Sequence, residues 1–170
     1  MVTALSVVLT LVVILNIMLT FALLRRVAGH DARLAVIEKG APTMAEIGER
    51  IEDFATTTTD GEQLGRDDLL TGTLVGFFDP DCEVCQSHVA GFVVAADRLG
   101  GDRARTLAVI REAEEAQLMV DAFGPGIRAV IERRRGPVAR AFHVMATPSF
   151  CTVGPGQVIA SHDYEQPALL

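Results

Sequence analysis

The longest uninterrupted run of hydrophobic residues stands at the beginning of the chain. No charged side chain occurs in residues 1–24, and from Leu5 onward only Asn16 is strongly polar. About 20 helical residues, at ~1.5 Å each, are enough to cross a hydrocarbon layer of ~30 Å. We therefore expect a transmembrane signal anchor over residues 1–24. The alternatives are a buried soluble helix, which would show a polar stripe, and a cleaved signal peptide, which would begin with a basic region.

A charged segment separates this run from the rest of the chain. Residues 25–40 mix arginine, lysine and carboxylate side chains with a few apolar residues, which predicts a short juxtamembrane segment. Gly40-Ala41-Pro42 breaks it, because glycine and proline interrupt regular structure. We therefore expect a single domain over residues 41–170.

Beyond Gly40 the pattern alternates between short apolar runs typical of strands and the 3–4 spacing typical of helices. The helical spacing places Val84 and Leu118 on buried faces. The run at 73–78 is apolar throughout, which predicts a central strand covered on both faces. The predicted elements are strands 54–59, 73–78, 105–110 and 127–131, helices 82–99, 112–123 and 137–142, a turn at Asp60-Gly61, and a hairpin of strands 149–153 and 157–160. This order predicts an α/β fold with a mixed central sheet flanked by helices.

The charge balance narrows the choice of partners. The 170 residues carry a formal net charge of −7, which argues against a nucleic-acid partner. Four basic residues follow the apolar run and suit the surface of a lipid bilayer: Arg25, Arg26, Arg33 and Lys39. No basic residue precedes the run, so charge alone predicts that the domain lies on the cytoplasmic side.

Two of the three cysteines form a close pair at a chemically favourable place. Cys82 and Cys85 stand where the apolar strand ends and a helix begins. Free backbone N–H groups and the helix dipole at that position favour a thiolate, which is the attacking species in disulfide exchange. Cys85 lies one helical turn later, within reach of a mixed disulfide on Cys82. We therefore predict that Cys82 is the nucleophile and Cys85 the resolving thiol.

The neighbouring charges act in the opposite direction. Asp79, Asp81 and Glu83 place three carboxylates around Cys82, and like charge disfavours a thiolate. A less stabilised thiolate makes the disulfide relatively more stable and the couple more reducing. The sequence therefore predicts a reductase rather than an oxidase.

Other uses of the pair are open. A structural disulfide over two intervening residues closes too small a loop to add much stability. A metal site needs four ligands, and the candidates besides the pair are His88, His143, His162 and Cys151. A membrane-tethered metal-binding or assembly module is the second hypothesis. A c-type haem needs His directly after the second Cys, and Gln86 stands there. We expect no cofactor and no resident metal.

The Cys-x-x-Cys pair, followed much later by Ala146-Thr147-Pro148 before a strand, resembles the thioredoxin superfamily. Within it the chain is similar to the membrane-anchored TlpA-type thiol–disulfide proteins. It is also similar to the methylamine-utilisation disulfide protein family (MauD-like), where Leu23-Leu24-Arg25 matches a stretch after the anchor. The similarity covers roughly residues 41–162 and the anchor.

This resemblance implies a thioredoxin fold and an outward-facing domain that exchanges disulfides with exported proteins, supplied by a membrane or soluble thiol donor. It implies that Pro148 is a cis-proline facing the cysteines. Such a proline holds the chain open so that Thr147 pairs with an extended substrate.

Two positions depart from that family pattern. Many thioredoxins bury an acid six residues before the first Cys, where this chain has Gly76, and an aromatic residue just before it, where Asp81 stands. These departures put rate and substrate choice in doubt. A hydroperoxide reductase of the peroxiredoxin kind is a remote alternative, since Val75 and Asp79 occupy the places of its Pro and Thr.

Several further residues are ambiguous. Cys151 fits a buried core thiol better than a third redox thiol. His88 fits a helix position beside the core, and His143 lies just before the proline loop. Residues 133–135 are three adjacent arginines, which fit a solvated turn better than a site for an anionic partner.

Overall fold

A computed structural model describes residues 43–163, together with Asn16 and Met18, which are helical. The chain divides into two compact units, Met1–Ala41 and Pro42–Leu170, and the second of these contains the cysteine pair. Apart from Asn16 and Met18, the predicted anchor over 1–24 and the juxtamembrane segment over 25–40 lie outside the described residues. In the described part of the chain, no helix has both the length and the apolar character needed to cross a membrane.

The second unit is built on a mixed five-stranded sheet. The elements in chain order are β1 (Ala55–Thr57), β2 (Gln63–Gly65), β3 (Leu74–Phe78), α1 (Glu83–Arg98), β4 (Thr106–Arg111), α2 (Ala116–Phe123), β5 (Arg128–Glu132), α3 (Pro137–Ala141), β6 (Ser149–Gly154) and β7 (Val158–Asp163). The strand order is β5-β4-β3-β6-β7, while β1 and β2 form a separate antiparallel hairpin. Strands β3, β4 and β5 are parallel, whereas β6 and β7 are antiparallel to their neighbours.

The central strand β3 is buried on both faces, as its continuous apolar sequence predicts. Its side chains alternate between two cores, because successive residues of a strand point to opposite faces. Phe78 packs with residues of α1 and α2 in one core. Phe77 packs in the other, with residues of α3, of the β1–β2 hairpin and of the chain before β1. The predicted α/β fold, with a mixed sheet covered on both faces, is confirmed.

Three details of the predicted helices are wrong. Helix α2 begins at Ala116 rather than at Glu112. The cause is that the Glu112 N–H donates to the Glu132 carbonyl at 2.7 Å, so the chain continues alongside the sheet before it turns. Val84 and Leu118, predicted on buried faces, are 55% and 68% exposed. Both lie in the first turn of their helix, where the apolar spacing does not identify the packed face.

The chain before β1 is tied to the end of α3. Backbone hydrogen bonds join Ala45 to Phe142 at 2.9 Å and Glu52 to Ala141 at 3.1 Å. His143 adds a second tie, because its ring nitrogens each lie 3.0 Å from a carboxylate, that of Glu49 and that of Glu52. His143 also precedes the loop that carries Thr147, so these contacts fix the start of that loop.

This arrangement predicts a pH-dependent contribution to stability. The hydrogen bond to Glu52 raises the pKa of His143 above its ordinary 6.5, and Glu49 adds to the effect. A raised folded-state pKa stabilises the fold fully below about 6.5, and this is lost as pH rises through the folded pKa. We expect His143→Asn, which suits the φ of 51°, to flatten the fall in unfolding free energy over this window. Denaturant titrations from pH 5.5 to 8.5 would measure it; parallel curves for the two proteins would contradict the assignment.

Candidate active site

The sheet delivers Cys82 and Cys85 to the carboxyl end of β3. The strand ends at Phe78, three residues form a turn, and Cys82 is the N-cap of α1 with an extended backbone (φ −105°, ψ 112°). The Cys85 N–H donates to Cys82 Sγ at 3.4 Å, so the sulfur takes the place of a capping oxygen at one unpaired helix N–H. Cys82 is partly exposed and Cys85 is fully buried. A partner therefore reaches Cys82 first.

The buried cysteine holds its proton. Burial raises the pKa of Cys85 to about 12, with the adjacent Cys82 adding to the rise, while the Asp79 N–H and the Thr147 side chain oppose it. A thiol in this state is a poor nucleophile until the surroundings change. The two sulfurs thus differ in accessibility: Cys82 is partly exposed and Cys85 is buried.

The predicted proline loop lies against the pair. The Thr147–Pro148 peptide bond is cis, as the resemblance implied. The Thr147 side chain lies close enough to the Cys85 sulfur to lower the pKa of that thiol, so all four predicted site residues come together. Within the described residues, the backbone N–H and carbonyl of Thr147 make no hydrogen bond, which leaves them available to an extended partner chain.

Arg111 is a site residue that the sequence analysis missed. The register of β3 and β4 pairs Phe78 with Ile110. The residues that follow these two, Asp79 and Arg111, therefore lie side by side. The guanidinium binds both oxygens of Asp79 at 2.7 Å and also pairs with Asp81. The Arg111 hydrogen bonds hold the pKa of Asp79 below its usual value. A charged residue at the end of each of two adjacent parallel strands was the available signal.

Two of the three carboxylates near Cys82, those of Asp79 and Asp81, are ion-paired with Arg111, which the sequence did not predict. The single positive charge of Arg111 offsets one of the two negative charges of Asp79 and Asp81. Among the described residues, Glu83 alone of the three has no ion-pair partner. The electrostatic argument for a reducing couple is weakened, but it keeps the charge of Glu83 and part of the charge of the two aspartates.

Removing Arg111 isolates this effect. We expect Arg111→Gln to slow the alkylation of Cys82 by iodoacetamide at pH 7 several-fold, because two carboxylates then oppose the thiolate without a counter-charge. Asp79→Asn combined with Arg111→Gln should recover part of the rate. Mass spectrometry of the labelled peptide would give the rate for Cys82 alone. An unchanged rate in the single variant would show that Arg111 does not influence the thiolate.

The place of the missing acid is filled by aromatic rings. A Cβ at Gly76 would lie 2.6 Å from Phe92 Cε2 and 2.7 Å from Phe78 Cε2. Phe78 and Phe92 meet edge to face with centroids 5.3 Å apart. No side chain fits at Gly76 without moving these rings.

A cleft opens beside the proline loop. Its volume is about 470 Å³, and its lining includes Thr147, Arg111 and Arg133, Arg134 and Arg135 from the turn after β5. These three arginines are exposed, as expected for a solvated turn. Their position in one cleft with Thr147 and Asp79 was not visible from the sequence, since it depends on how the ends of β3, β4 and β5 align.

The remaining candidates lie outside this arrangement. Cys151 is fully buried in β6 opposite Val75, consistent with a core thiol. The His88 ring stacks on Phe150 at 5.9 Å. Over residues 43–163, no three His, Cys, Asp or Glu side chains group closely enough to hold a metal ion, so the metal hypothesis has no site there.

Comparison with known proteins identifies the fold. No family model and no curated protein matches the chain. Among solved structures, it is similar to a thio-disulfide isomerase from Thermus thermophilus, with a TM-score of 0.58 and 19% identity over 74% of this chain and 92% of that one. The thioredoxin domain of a thiol-disulfide oxidoreductase from Bacteroides vulgatus gives 0.60 and 15% over 74% and 93%.

A third similar structure is a secreted disulfide oxidoreductase from Mycobacterium tuberculosis, homologous to E. coli DsbE. It gives a TM-score of 0.53 and 17% identity over 65% of this chain and 81% of that one. The chain therefore has the thioredoxin fold, and the solved structures that it resembles are thiol–disulfide oxidoreductases.

Proposed function

We propose that this chain is a thiol–disulfide oxidoreductase that acts on protein disulfides through Cys82 and Cys85. The observation that carries the proposal is the asymmetric cysteine pair at the start of α1, one sulfur accessible and one buried, with Thr147 and cis-Pro148 against it. The Cys82 thiolate attacks a substrate disulfide and forms a mixed disulfide. Cys85 then displaces the substrate thiol, and the enzyme is left with a Cys82–Cys85 disulfide.

We propose further that the couple works as a reductant of exported proteins and is recharged by a membrane or soluble thiol donor. In the part of the chain that the structure describes, the Cys82 sulfur accepts a single hydrogen bond, from the neutral Cys85 N–H at 3.4 Å, and the carboxylate of Glu83 follows it directly. Both features give the thiolate little stabilisation, which favours the disulfide form of the enzyme and hence a low reduction potential.

The reduction potential tests both parts of this proposal. The full chain would be equilibrated in dithiothreitol redox buffers and its thiols counted by alkylation, alongside an assay of insulin reduction. A potential below about −220 mV supports a reductase. A potential of about −120 to −180 mV would show that the protein exchanges disulfides but acts as an oxidant or isomerase. If Cys82 and Cys85 form no reversible disulfide, the proposed function is wrong.

We also propose that residues 1–24 anchor the chain as a single-pass signal anchor, with the domain on the extracytoplasmic face. The apolar run supports the anchor, and the usefulness of disulfide exchange outside the cytoplasm supports the orientation. The arginines after the run argue for the opposite orientation. Alkaline phosphatase fused after Leu170 would be active only if that end is exported. An inactive fusion of normal abundance would show that the domain lies on the cytoplasmic side.

A further inference from the structure

The cleft beside the proline loop has a composition that the exchange chemistry alone does not require. Four of the residues that line it are arginines, while Glu132 and Asp79 are its acidic residues. The chain as a whole is acidic, with a net charge of −7. The group of arginines that shares this cleft with Thr147 is thus opposite in sign to the net charge of the chain.

We infer that this cleft binds acidic residues that flank the disulfide of the substrate protein, so that the enzyme selects acidic peptide segments. This inference rests on the proposed function and specifies its substrate class. The acidic side chains would lie on the arginines of the cleft while the adjacent disulfide meets Cys82.

Two of the arginines form no ion pair within residues 43–163, although the charge of Arg134 also acts on Asp79 from a longer distance. Arg111 is held by Asp79 and Asp81, and Arg133 makes an exposed 3.5 Å ion pair with Glu112. Within residues 43–163, no carboxylate lies within ion-pair distance of Arg134 or Arg135. Their guanidinium groups therefore have donors free for a partner, and guanidinium binds carboxylates in a two-point geometry.

Hydrogen bonds to Glu132 and within the turn hold the segment that carries these arginines. The Glu132 carboxylate is buried and accepts the backbone N–H groups of Val138 and Ala139 at 3.0 and 2.8 Å. Gly136 leaves room for it, since a Cβ there would lie 2.5 Å from the carboxylate. The Gly136 N–H closes the turn on the Arg133 carbonyl at 2.8 Å. Residues 133–135 thus project from an anchored turn, which lowers the entropy lost on binding.

The cleft borders the cysteine pair through two shared neighbours, Thr147 and Asp79. Thr147, whose backbone groups are unpaired among the described residues, forms part of its wall, as does Met145, which is 69% exposed. On the other side, the charge of Arg134 helps to lower the pKa of Asp79. The Asp79 carbonyl in turn accepts the Cys82 N–H at 3.1 Å. An extended chain that pairs with Thr147 therefore has its neighbouring side chains within reach of the arginines, which favours a peptide over a small anion.

The probe reaction is the reduction of a disulfide-closed peptide by the reduced enzyme. The reduced enzyme, with two thiols, and a peptide closed by one internal disulfide give the oxidised enzyme and a peptide with two thiols. Two electrons and two protons pass from the cysteine pair to the peptide, and no other reactant is needed.

The test compares two disulfide-closed peptides that differ only in Glu against Gln on either side of the cysteines. Their rates with the full-length reduced chain would be measured at 0.1 M salt and divided by their rates with dithiothreitol, which corrects for intrinsic reactivity. We expect the Glu peptide to react about 10-fold faster than the Gln peptide, and this ratio to approach one at 1 M salt, where charges are screened beyond ~3 Å.

Matched variants locate the preference. Arg134→Gln with Arg135→Gln should remove the preference, so that the ratio of the Glu-peptide rate to the Gln-peptide rate falls to about one. Arg98→Gln with Arg105→Gln is the matched control. It removes the same charge away from the cleft, at the end of α1 and just before β4, and should keep the preference.

The other outcomes overturn the inference in separate ways. Equal rates of the two peptides with the wild type would show that the cleft does not select acidic segments, while the exchange function stands. A matching loss of rate with oxidised glutathione in the cleft variant would assign the arginines to small anions instead. If the wild type reduces neither peptide nor insulin, the proposed function itself fails.

Discussion

Cys82→Ser is expected to abolish disulfide exchange, with a fall in rate of about 10³-fold or more, because the hydroxyl of serine supplies no thiolate at neutral pH. Cys85→Ser should behave differently. Its Cys82 still attacks the substrate, but no second sulfur displaces the substrate thiol, so the mixed disulfide accumulates. Non-reducing electrophoresis after mixing with insulin would show a covalent complex for Cys85→Ser and none for Cys82→Ser.

Cys151→Ala is the matched control, because it removes the third cysteine without touching the pair. It should retain the wild-type rate, although the buried cavity lowers stability. A covalent complex formed by Cys82→Ser but not by Cys85→Ser would reverse the assigned roles of the two sulfurs.

Gly76→Asp, which restores the acid found in many thioredoxins, is expected to damage this protein rather than improve it. Four phenylalanine rings pack on this face of the sheet with centroids 4.9–6.0 Å apart: Phe78, Phe92, Phe123 and Phe150. Any Cβ at Gly76 would collide with two of them. A carboxylate there would also be buried among apolar groups, which costs several kcal/mol unless it is protonated or paired.

A series of variants separates the two effects. Gly76→Ala should lower the free energy of unfolding by about 1–3 kcal/mol through crowding alone, and Gly76→Asp by clearly more. Phe92→Leu combined with Gly76→Ala should cost less than the sum of the single changes, because the smaller side chain gives the methyl group room. Denaturant unfolding of each variant would measure these differences.

Gly126→Ala provides the control for this series, because a Cβ at that position meets nothing within 4 Å. Its stability should stay within about 0.5 kcal/mol of the wild type. If Gly76→Ala proved equally harmless, the ring packing around Gly76 would not be as tight as described.

The sequence predicted those parts of the fold that depend on local pattern. The apolar run of β3 and the glycines and prolines that end the helices are signals contained in a few residues. The start of α2 was misplaced because the Glu112 N–H bonds to Glu132, twenty residues away along the chain. The exposure of Val84 likewise depends on which face of α1 meets the sheet, and helical spacing alone does not decide this.

The same distinction separates the predicted and the missed parts of the site. The cysteine pair and Thr147-Pro148 are short motifs, and they were identified directly. Arg111 reaches Asp79 only because two parallel strands end in register, and the arginine cleft needs the end of β5 as well. A reading along the chain shows these charges but not which of them pair, and the sequence argument therefore counted the carboxylates near Cys82 without the arginine that partly compensates them.

The burial of Cys151 makes this residue a natural probe of how often the sheet opens. Its sulfur has no exposed surface, and burial raises the pKa of the thiol well above its ordinary value. A thiol reagent therefore reaches it only when β6 separates from β3 and β7. In a variant with Cys82 and Cys85 both changed to serine, the labelling rate of this one sulfur reports how often the sheet opens, without any added probe.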